Sequence, residues 1–284
     1  MATMRLDGCE AEFRQCARIA QRHYENFSVL SVFVPRALRP HFSAIYAFCR
    51  GVDDLGDEYA GDRRAALAAW RQELQRAFEG RATHPVFRAL SVTIQHFPLR
   101  YEDFDNLIRA NEMDQDAVRY RTFEDTLHYC AHSANPVGRL VLGLFGYTDA
   151  ERQRLSDAIC TGLQLANFLQ DLARDLARGR SYWPEEDYRR FGLSSEDLAQ
   201  GLGDVGRIQA WTRFEAERTW AFFREGRGLE ALVPWRLGRQ LALYRLGGET
   251  VVAAILRHGA NPLQGRPVVT PWQKLQLMGR VLWA

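Results

Sequence analysis

Apolar residues along this chain recur with a helical period almost from end to end. Phe42, Ile45, Tyr46, Cys49 and Val52 follow i, i+3, i+4 spacing, and Leu155, Ile159, Leu163, Ala166 and Leu169 repeat it further on. Strand-like alternation is nearly absent. Pro35, Pro40, Pro85, Pro98, Pro184, Pro234, Pro262, Pro267 and Pro271 fall near expected helix ends. Thr270-Pro271 reads as an N-cap followed by proline at the first helical position. There is no low-complexity linker and no solenoid-type repeat. The pattern predicts one all-α domain over residues 1–284, with about eight to eleven helices of ordinary length. Residues 1–11 are allowed to be disordered. Pro136 breaks the rule: it sits inside the apolar helical run "YCAHSANPVGRLVLGLFG", where it is expected to kink the helix and free a carbonyl.

Composition narrows the chemistry. The formal net charge is +2, so there is no strong electrostatic case for nucleic acid. Lys274 is the only lysine. Schiff-base enzymes and phosphate-loop NTPases need a lysine in the site, so both are disfavoured. Arginine remains, and it binds phosphate oxygens bidentately. The five cysteines (Cys9, Cys16, Cys49, Cys130 and Cys160) form no CxxC pair, which points to free thiols rather than disulfides or zinc. The N-terminal stretch does not read as a signal peptide, and no apolar run is long enough to span a bilayer. A cytoplasmic location is expected. The C-terminal "WQKLQLMGRVLW" carries the aromatic and basic residues of a segment that could lie on the inner face of a membrane, although a final core helix is the preferred reading. "GLGDVG" at 201–206 fits G-x-G-x-x-G, but the polar "LSSEDLAQ" before it is no strand, so a helix-to-helix turn is expected.

Two polar stripes stand out. "DDLGDE" at 53–58 packs four carboxylates into six positions. Asp53 and Asp57 are four residues apart and would share a helix face. In "LQLANFLQDLARDLARGRSYW", Gln164, Asn167, Asp171 and Asp175 follow one another at steps of 3, 4 and 4. That spacing keeps them within roughly 80° on a helix, with Leu165, Leu169, Leu172, Ala173 and Leu176 on the opposite side. Every member of the stripe carries oxygen. Magnesium takes hard oxygen ligands and characteristically combines one or two carboxylates with substrate phosphates. Two facing stripes would hold Mg²⁺ against a diphosphate and ease its departure. The plainer alternative is two unrelated solvated faces. A departing allylic or cyclopropylcarbinyl diphosphate leaves a carbocation, which needs a dry cavity with aromatic faces. The 16 Phe, 10 Tyr and 7 Trp permit one.

"AIYAFCRGVDDLGDE" paired with "QLANFLQDLARDLARGRSYWPEEDYRRFG" resembles the squalene/phytoene synthase family over roughly residues 12–280. "HYENFSV", "VPRALRP" and "YCAHSANPVGRLVL" are similar to its bacterial hydroxysqualene synthase branch. The resemblance implies an all-α, class I isoprenoid synthase-type bundle with a central cavity. It implies that Asp53, Asp57, Asn167, Asp171 and Asp175 hold Mg²⁺. Arg50 and Arg180 match diphosphate-contacting positions, and Tyr46, Tyr129 and Tyr182 match site tyrosines. His23 and Phe27 match the start of an N-terminal substrate motif. Gln164 matches a polar position beside the second stripe, and Asn135 is placed with the substrate-binding residues. The implied reaction takes presqualene diphosphate, releases diphosphate, rearranges the cation and captures water to give hydroxysqualene, with no NADPH. His132 is a candidate for positioning that water.

Three other functions remain open at this stage. A presqualene diphosphate, squalene or phytoene synthase would condense two prenyl diphosphates, but Tyr24-Glu25-Asn26 departs from the Ser- and Lys-containing run such enzymes often carry. A terpene cyclase would normally have Ser or Thr at 171 and Glu at 175. A non-catalytic relative would have eroded aspartate motifs, and both are intact here. A di-metal carboxylate bundle is excluded because no Glu-x-x-His occurs.

Overall fold

The computed structural model describes residues 8–22, 33–116, 118–266 and 279. Among them the chain forms twelve α-helices. In order these are α1 (Glu10–Arg22), α2 (Arg39–Asp53), α3 (Arg63–Phe78), α4 (Pro85–His96), α5 (Tyr101–Met113) and α6 (Phe123–Ser133). They continue with α7 (Asn135–Leu144), α8 (Ala150–Ala177), α9 (Glu185–Arg190), α10 (Ser195–Ala199), α11 (Val205–Gly226) and α12 (Trp235–Arg257). A π-helical turn, Asp54–Glu58, follows α2 directly. The one β-contact among the described residues is an isolated parallel bridge between Arg119 and Ser181. The all-α expectation therefore holds. The helix count exceeds it because α9 and α10, of six and five residues, are too short to carry a periodic signature.

Helix boundaries follow local chemistry. Asp62 caps α3 by accepting from the Ala65 N–H at 3.0 Å, and Thr122 with Asp125 forms a capping box at α6. Pro40 and Pro85 sit in first turns, where a missing N–H is not needed. "GLGDVG" forms the turn between α10 and α11, and Asp204 caps α11 through the Arg207 N–H at 2.9 Å. The expected kink at Pro136 is corrected. Helix α6 ends at Ser133, Ala134 leaves helical geometry at φ −120 and ψ −48, and Pro136 lies in the first turn of a new helix. Proline is tolerated there, so the chain breaks rather than bends. Thr270-Pro271, the C-terminal amphipathic segment, His23 and Phe27 lie outside the described residues. No described helix is long and apolar enough to cross a membrane. The five cysteines are free thiols.

The chain forms two compact units. The first comprises the described residues up to Gln115 together with Pro136–Gln153. Its core centres on Phe48 of α2, which meets Phe104 edge-on at 5.1 Å and Phe87 at 5.7 Å. His41, fully buried on the same helix, pairs its Nδ1 with Thr93 Oγ1 of α4 at 3.0 Å. Burial, with the nearby His96, pushes His41 down to about 4, so it is a neutral core group at pH 7. Arg71 of α3 grips Asp105 and Glu112 of α5, each at 2.6 Å, so the α3–α5 pairing is ionic as well as apolar.

The second unit comprises the described residues of Asp116–Asn135 and those from Arg154 onward. Its core packs α8, α11 and α12 at close range. A β-carbon at Gly226 would stand 2.4 Å from Ile159 Cγ1 and 2.9 Å from the Leu155 carbonyl oxygen, both on α8. The absence of a side chain is what lets α11 approach α8 there. Gly226→Ala should therefore destabilise the protein by about 1–3 kcal/mol through overpacking. Urea or thermal melts check this, and an unchanged midpoint would count against so tight an approach.

Candidate active site

The acid motif of the first unit is built on a change of helix type. Helix α2 ends at Asp53, and the next five residues wind more widely, closing with the Tyr59 N–H donating to the Asp54 carbonyl at 2.9 Å. Asp53 and Asp57 are thus not two positions of one regular α-helix, as their spacing suggests. They straddle an α-to-π junction, a feature frequent at functional sites. Helix α5 supports the wide turn from the side. Gln115 Nε2 donates to the Gly56 carbonyl at 3.0 Å, and Asn111 Nδ2 reaches Asp53 Oδ1 at 3.5 Å. A β-carbon at Gly56 would fall 2.1 Å from Asn111 Oδ1, so glycine is needed there.

The charges are balanced locally. Arg50 Nη2 lies 2.5 Å from Asp54 Oδ1 and 2.9 Å from Glu58 Oε1. Asp53 is accessible to water yet crowded by protein. Desolvation pushes its carboxyl up to about 7, helped by repulsion from Asp57 and Asp54 and opposed by Asn111 and Arg50. Tyr46 lies one turn before Arg50 on α2, half-buried. Sequence reasoning missed Asn111 and Gln115. Their only signal was an i, i+4 pair of amides, Asn111 on α5 and Gln115 just beyond its end.

The stripe of the second unit lies on α8 as the spacing predicts. Leu165, Leu169, Leu172 and Leu176 are buried, while Gln164 is half-buried and Asn167 exposed. Asp171 is buried, and Asp175 is half-buried. Asp171 is gripped by Arg266, with Nε 2.5 Å from Oδ1 and Nη2 3.1 Å from Oδ2. Desolvation pushes Asp175 up to about 7, with Asp171 adding to the rise and Arg180, Arg178 and Arg174 opposing it. Asn135 is buried and accepts a hydrogen bond from Thr161 Oγ1 of α8 at 3.0 Å. His132 spends its Nδ1 on the His128 carbonyl at 2.8 Å.

Beside this stripe stands a stack of aromatic rings. Tyr182 lies flat against Phe168, at 4.4 Å and 4°. Tyr129 meets Tyr182 at 5.0 Å, and Trp183 meets Trp211 edge-on at 5.7 Å. Phe168 is a neighbour in sequence of Asn167, so one helix supplies both the oxygen donors and an aromatic face. Behind the rings, Arg218 of α11 sits 3.9 Å from the Phe123 ring centre and 4.6 Å from that of Phe214. The same guanidinium bonds Asp187 of α9 at 2.6 Å and Glu215 at 3.2 Å.

The donor sets suit magnesium in kind. Both stripes are oxygen-only, and the carboxylates are few enough to leave room for phosphate oxygens. Among the described residues no three His, Cys, Asp or Glu side chains form a ready-made metal cage.

The family model for squalene/phytoene synthase matches residues 20–273. This chain is a member of that family. The 15-cis-phytoene synthase of Synechococcus elongatus is 30% identical over 281 residues, covering 93% of this chain and 90% of the relative. The phytoene synthase of Arthrospira platensis is also 30% identical, over 95% of this chain and 94% of its own. Among solved structures, the squalene synthase HpnC of Alicyclobacillus acidocaldarius is 56% identical, with a TM-score of 0.85 over 89% of this chain and 96% of that one. A ligand-bound dehydrosqualene synthase, 24% identical, superposes with a TM-score of 0.88 over 97% of this chain and 96% of that one and speaks for the fold. The fold is the all-α isoprenoid-synthase type of these structures. Squalene/phytoene synthases process prenyl diphosphates, so membership gives the aspartate stripes and the aromatic stack an enzymatic context.

The brace behind the aromatic stack has a pH signature. Glu215 is fully buried, and desolvation together with Asp187 pushes it up to about 9 against the pull of Arg218. Its unfolded value is near the ordinary 4.5. Between those two values the folded protein holds a proton that the unfolded chain releases, so stability falls as pH rises across that window. Glu215→Gln removes the requirement for that proton. Its melting temperature should exceed that of the wild type at pH 8, by the equivalent of up to about 4–5 kcal/mol, and the gap should narrow to under about 1 kcal/mol at pH 5. Parallel melting curves for the two proteins would rule out a protonated Glu215.

Proposed function

We propose that this protein is a hydroxysqualene synthase, converting presqualene diphosphate and water to hydroxysqualene and diphosphate. The reading rests on one observation above the others. A single unit carries the oxygen-donor stripe Gln164, Asn167, Asp171 and Asp175 directly beside the buried stack of Tyr129, Phe168, Tyr182 and Trp183. That arrangement suits a substrate with a diphosphate at one end of a reacting hydrocarbon. The high identity to a squalene synthase over nearly the whole chain supports the same branch.

In this mechanism Asp53, Asp57, Asn167, Asp171 and Asp175 would hold Mg²⁺. When bound, the ion neutralises the charge that develops on the leaving diphosphate. Arg50 and Arg180 bind diphosphate oxygens, and Gln164 and Asn135 lie with the substrate. The N-terminal contacts of His23 and Phe27 belong to the same proposal. The ring faces of Tyr129, Phe168 and Tyr182 stabilise the cation left on the hydrocarbon and keep bulk water away from it. Tyr46 contributes from α2. Water captures the rearranged cation, one proton is lost, and no hydride donor is needed. The two stripes serve one reaction, with residues 1–284 acting as one synthase domain.

The phytoene synthase relatives favour a second reading, condensation of two prenyl diphosphates. Incubation with farnesyl diphosphate alone separates the two: a condensing enzyme consumes it and a hydroxysqualene synthase leaves it intact. With presqualene diphosphate, Mg²⁺ and ¹⁸O-water, mass spectrometry should find label in a product alcohol. Unlabelled squalene as sole product would refute water capture. Asp53→Asn and Asp171→Asn should each lower turnover at least about 100-fold, as expected for loss of metal-borne charge stabilisation, while melting temperatures change little. Near-normal rates in both variants would reject the metal roles.

A further inference from the structure

Asp171 has a partner that the stripe on α8 does not supply. Helix α12 ends at Arg257, and the chain then packs Ala260, Asn261 and Pro262 into the core. Asn261 Oδ1 accepts from the Leu263 N–H at 3.1 Å and caps a short 3-10 turn, Pro262–Gln264. Two residues beyond that turn, Arg266 reaches back to α8. Its guanidinium lies against the Asp171 carboxylate, with Nη2 donating to Oδ2 at 3.1 Å and Nε in ionic contact with Oδ1 at 2.5 Å. Asp171 is buried, whereas Arg266 is about half exposed. The carboxylate is therefore fixed and the arginine has room to leave.

We infer that Arg266 is a displaceable counter-ion that competes with a divalent metal for Asp171. The inference rests on the reading of Asp171 as a metal ligand. The guanidinium occupies one carboxylate oxygen by a charge-assisted hydrogen bond and crowds the other by close ionic contact. A divalent ion bound to the same oxygens would sit within a few ångströms of a fixed positive charge, and the two cations repel. Metal entry requires Arg266 to swing away. The contact keeps a buried carboxylate charged and oriented, and it sets a threshold for metal loading. Because Arg266 lies just beyond a packed turn, metal loading is thereby coupled to the position of the chain at 265–266.

Mn²⁺ binding to the full-length protein tests this without any turnover. Electron paramagnetic resonance of free Mn²⁺ gives the affinity for the wild type, Arg266→Gln, Arg266→Lys, Arg174→Gln and Asp171→Asn. Arg266→Gln should bind Mn²⁺ about fivefold more tightly, the factor expected for losing a competing ion pair of ordinary strength. Arg174→Gln removes the same charge from α8 without touching the Asp171 oxygens, and it should tighten binding by less than twofold. Arg266→Lys keeps the charge but gives up the fork, so about a twofold gain is expected. It carries the test if the glutamine variant does not fold. Unchanged or weaker binding in the Arg266 variants would overturn the inference, because the arginine would then be only an orienting group. Equal gains from Arg174→Gln and Arg266→Gln would also overturn it, leaving through-space charge alone. Asp171→Asn binding Mn²⁺ as the wild type does would remove the metal reading itself. A wild type that binds through Asp171 with indifferent Arg266 variants would remove only the competition.

Discussion

A carboxylate taken out of water must be matched by a cation or give up its charge, and this requirement governs Asp171 on α8. Asp171 is matched by Arg266 and Asp54 by Arg50. Asp53 and Asp175 have weaker matching and are pushed up to about 7. The same residues that would welcome a divalent ion are therefore those whose charge the fold supports least or lends to an arginine. The nearly lysine-free composition fits this economy. Guanidinium groups keep their charge when partly buried and can engage both oxygens of a carboxylate or a phosphate.

The aromatic stack meets a complementary need. Under the proposed function, rings that face a carbocation must be held rigidly. In the second unit the rings hold one another, with Phe168 flat on Tyr182 and Trp183 edge-on to Trp211. Arg218, pressed between Phe123 and Phe214, then ties α9 to α11 behind them through Asp187 and Glu215. A proton on Glu215 leaves that buried group near neutrality: one guanidinium against one ionised carboxylate.

The periodic features of the molecule were readable from the chain alone. The α8 stripe and its leucine face emerged where the 3.6-residue period put them, because a long amphipathic helix repeats its signal many times. The proline positions located helix ends for the same local reason. What escaped the sequence was tertiary or sub-periodic. The π turn at Asp54–Glu58 leaves no repeat to detect. Its supports, Asn111 and Gln115, come from 58 and 59 residues away from their partners, Asp53 and Gly56. Arg266 is 95 residues from Asp171, and a lone arginine near a chain end carries no pattern. Pro136 misled because apolar residues continue across it while the backbone does not.

Those three escapes have one thing in common. Each is a polar group from a distant element that meets a carboxylate, or the turn bearing one, at a point where the local helix could not satisfy it. The α-to-π junction turns Asp53 and Asp57 out of a regular ladder, so α5 must supply amides to hold the wide turn. The burial of Asp171 calls for a cation, and the turn after α12 supplies it through Arg266. A solvated acidic face needs no such partners, because water would satisfy every oxygen. The investment of remote side chains in these few carboxylates is what separates a built site from a charged surface.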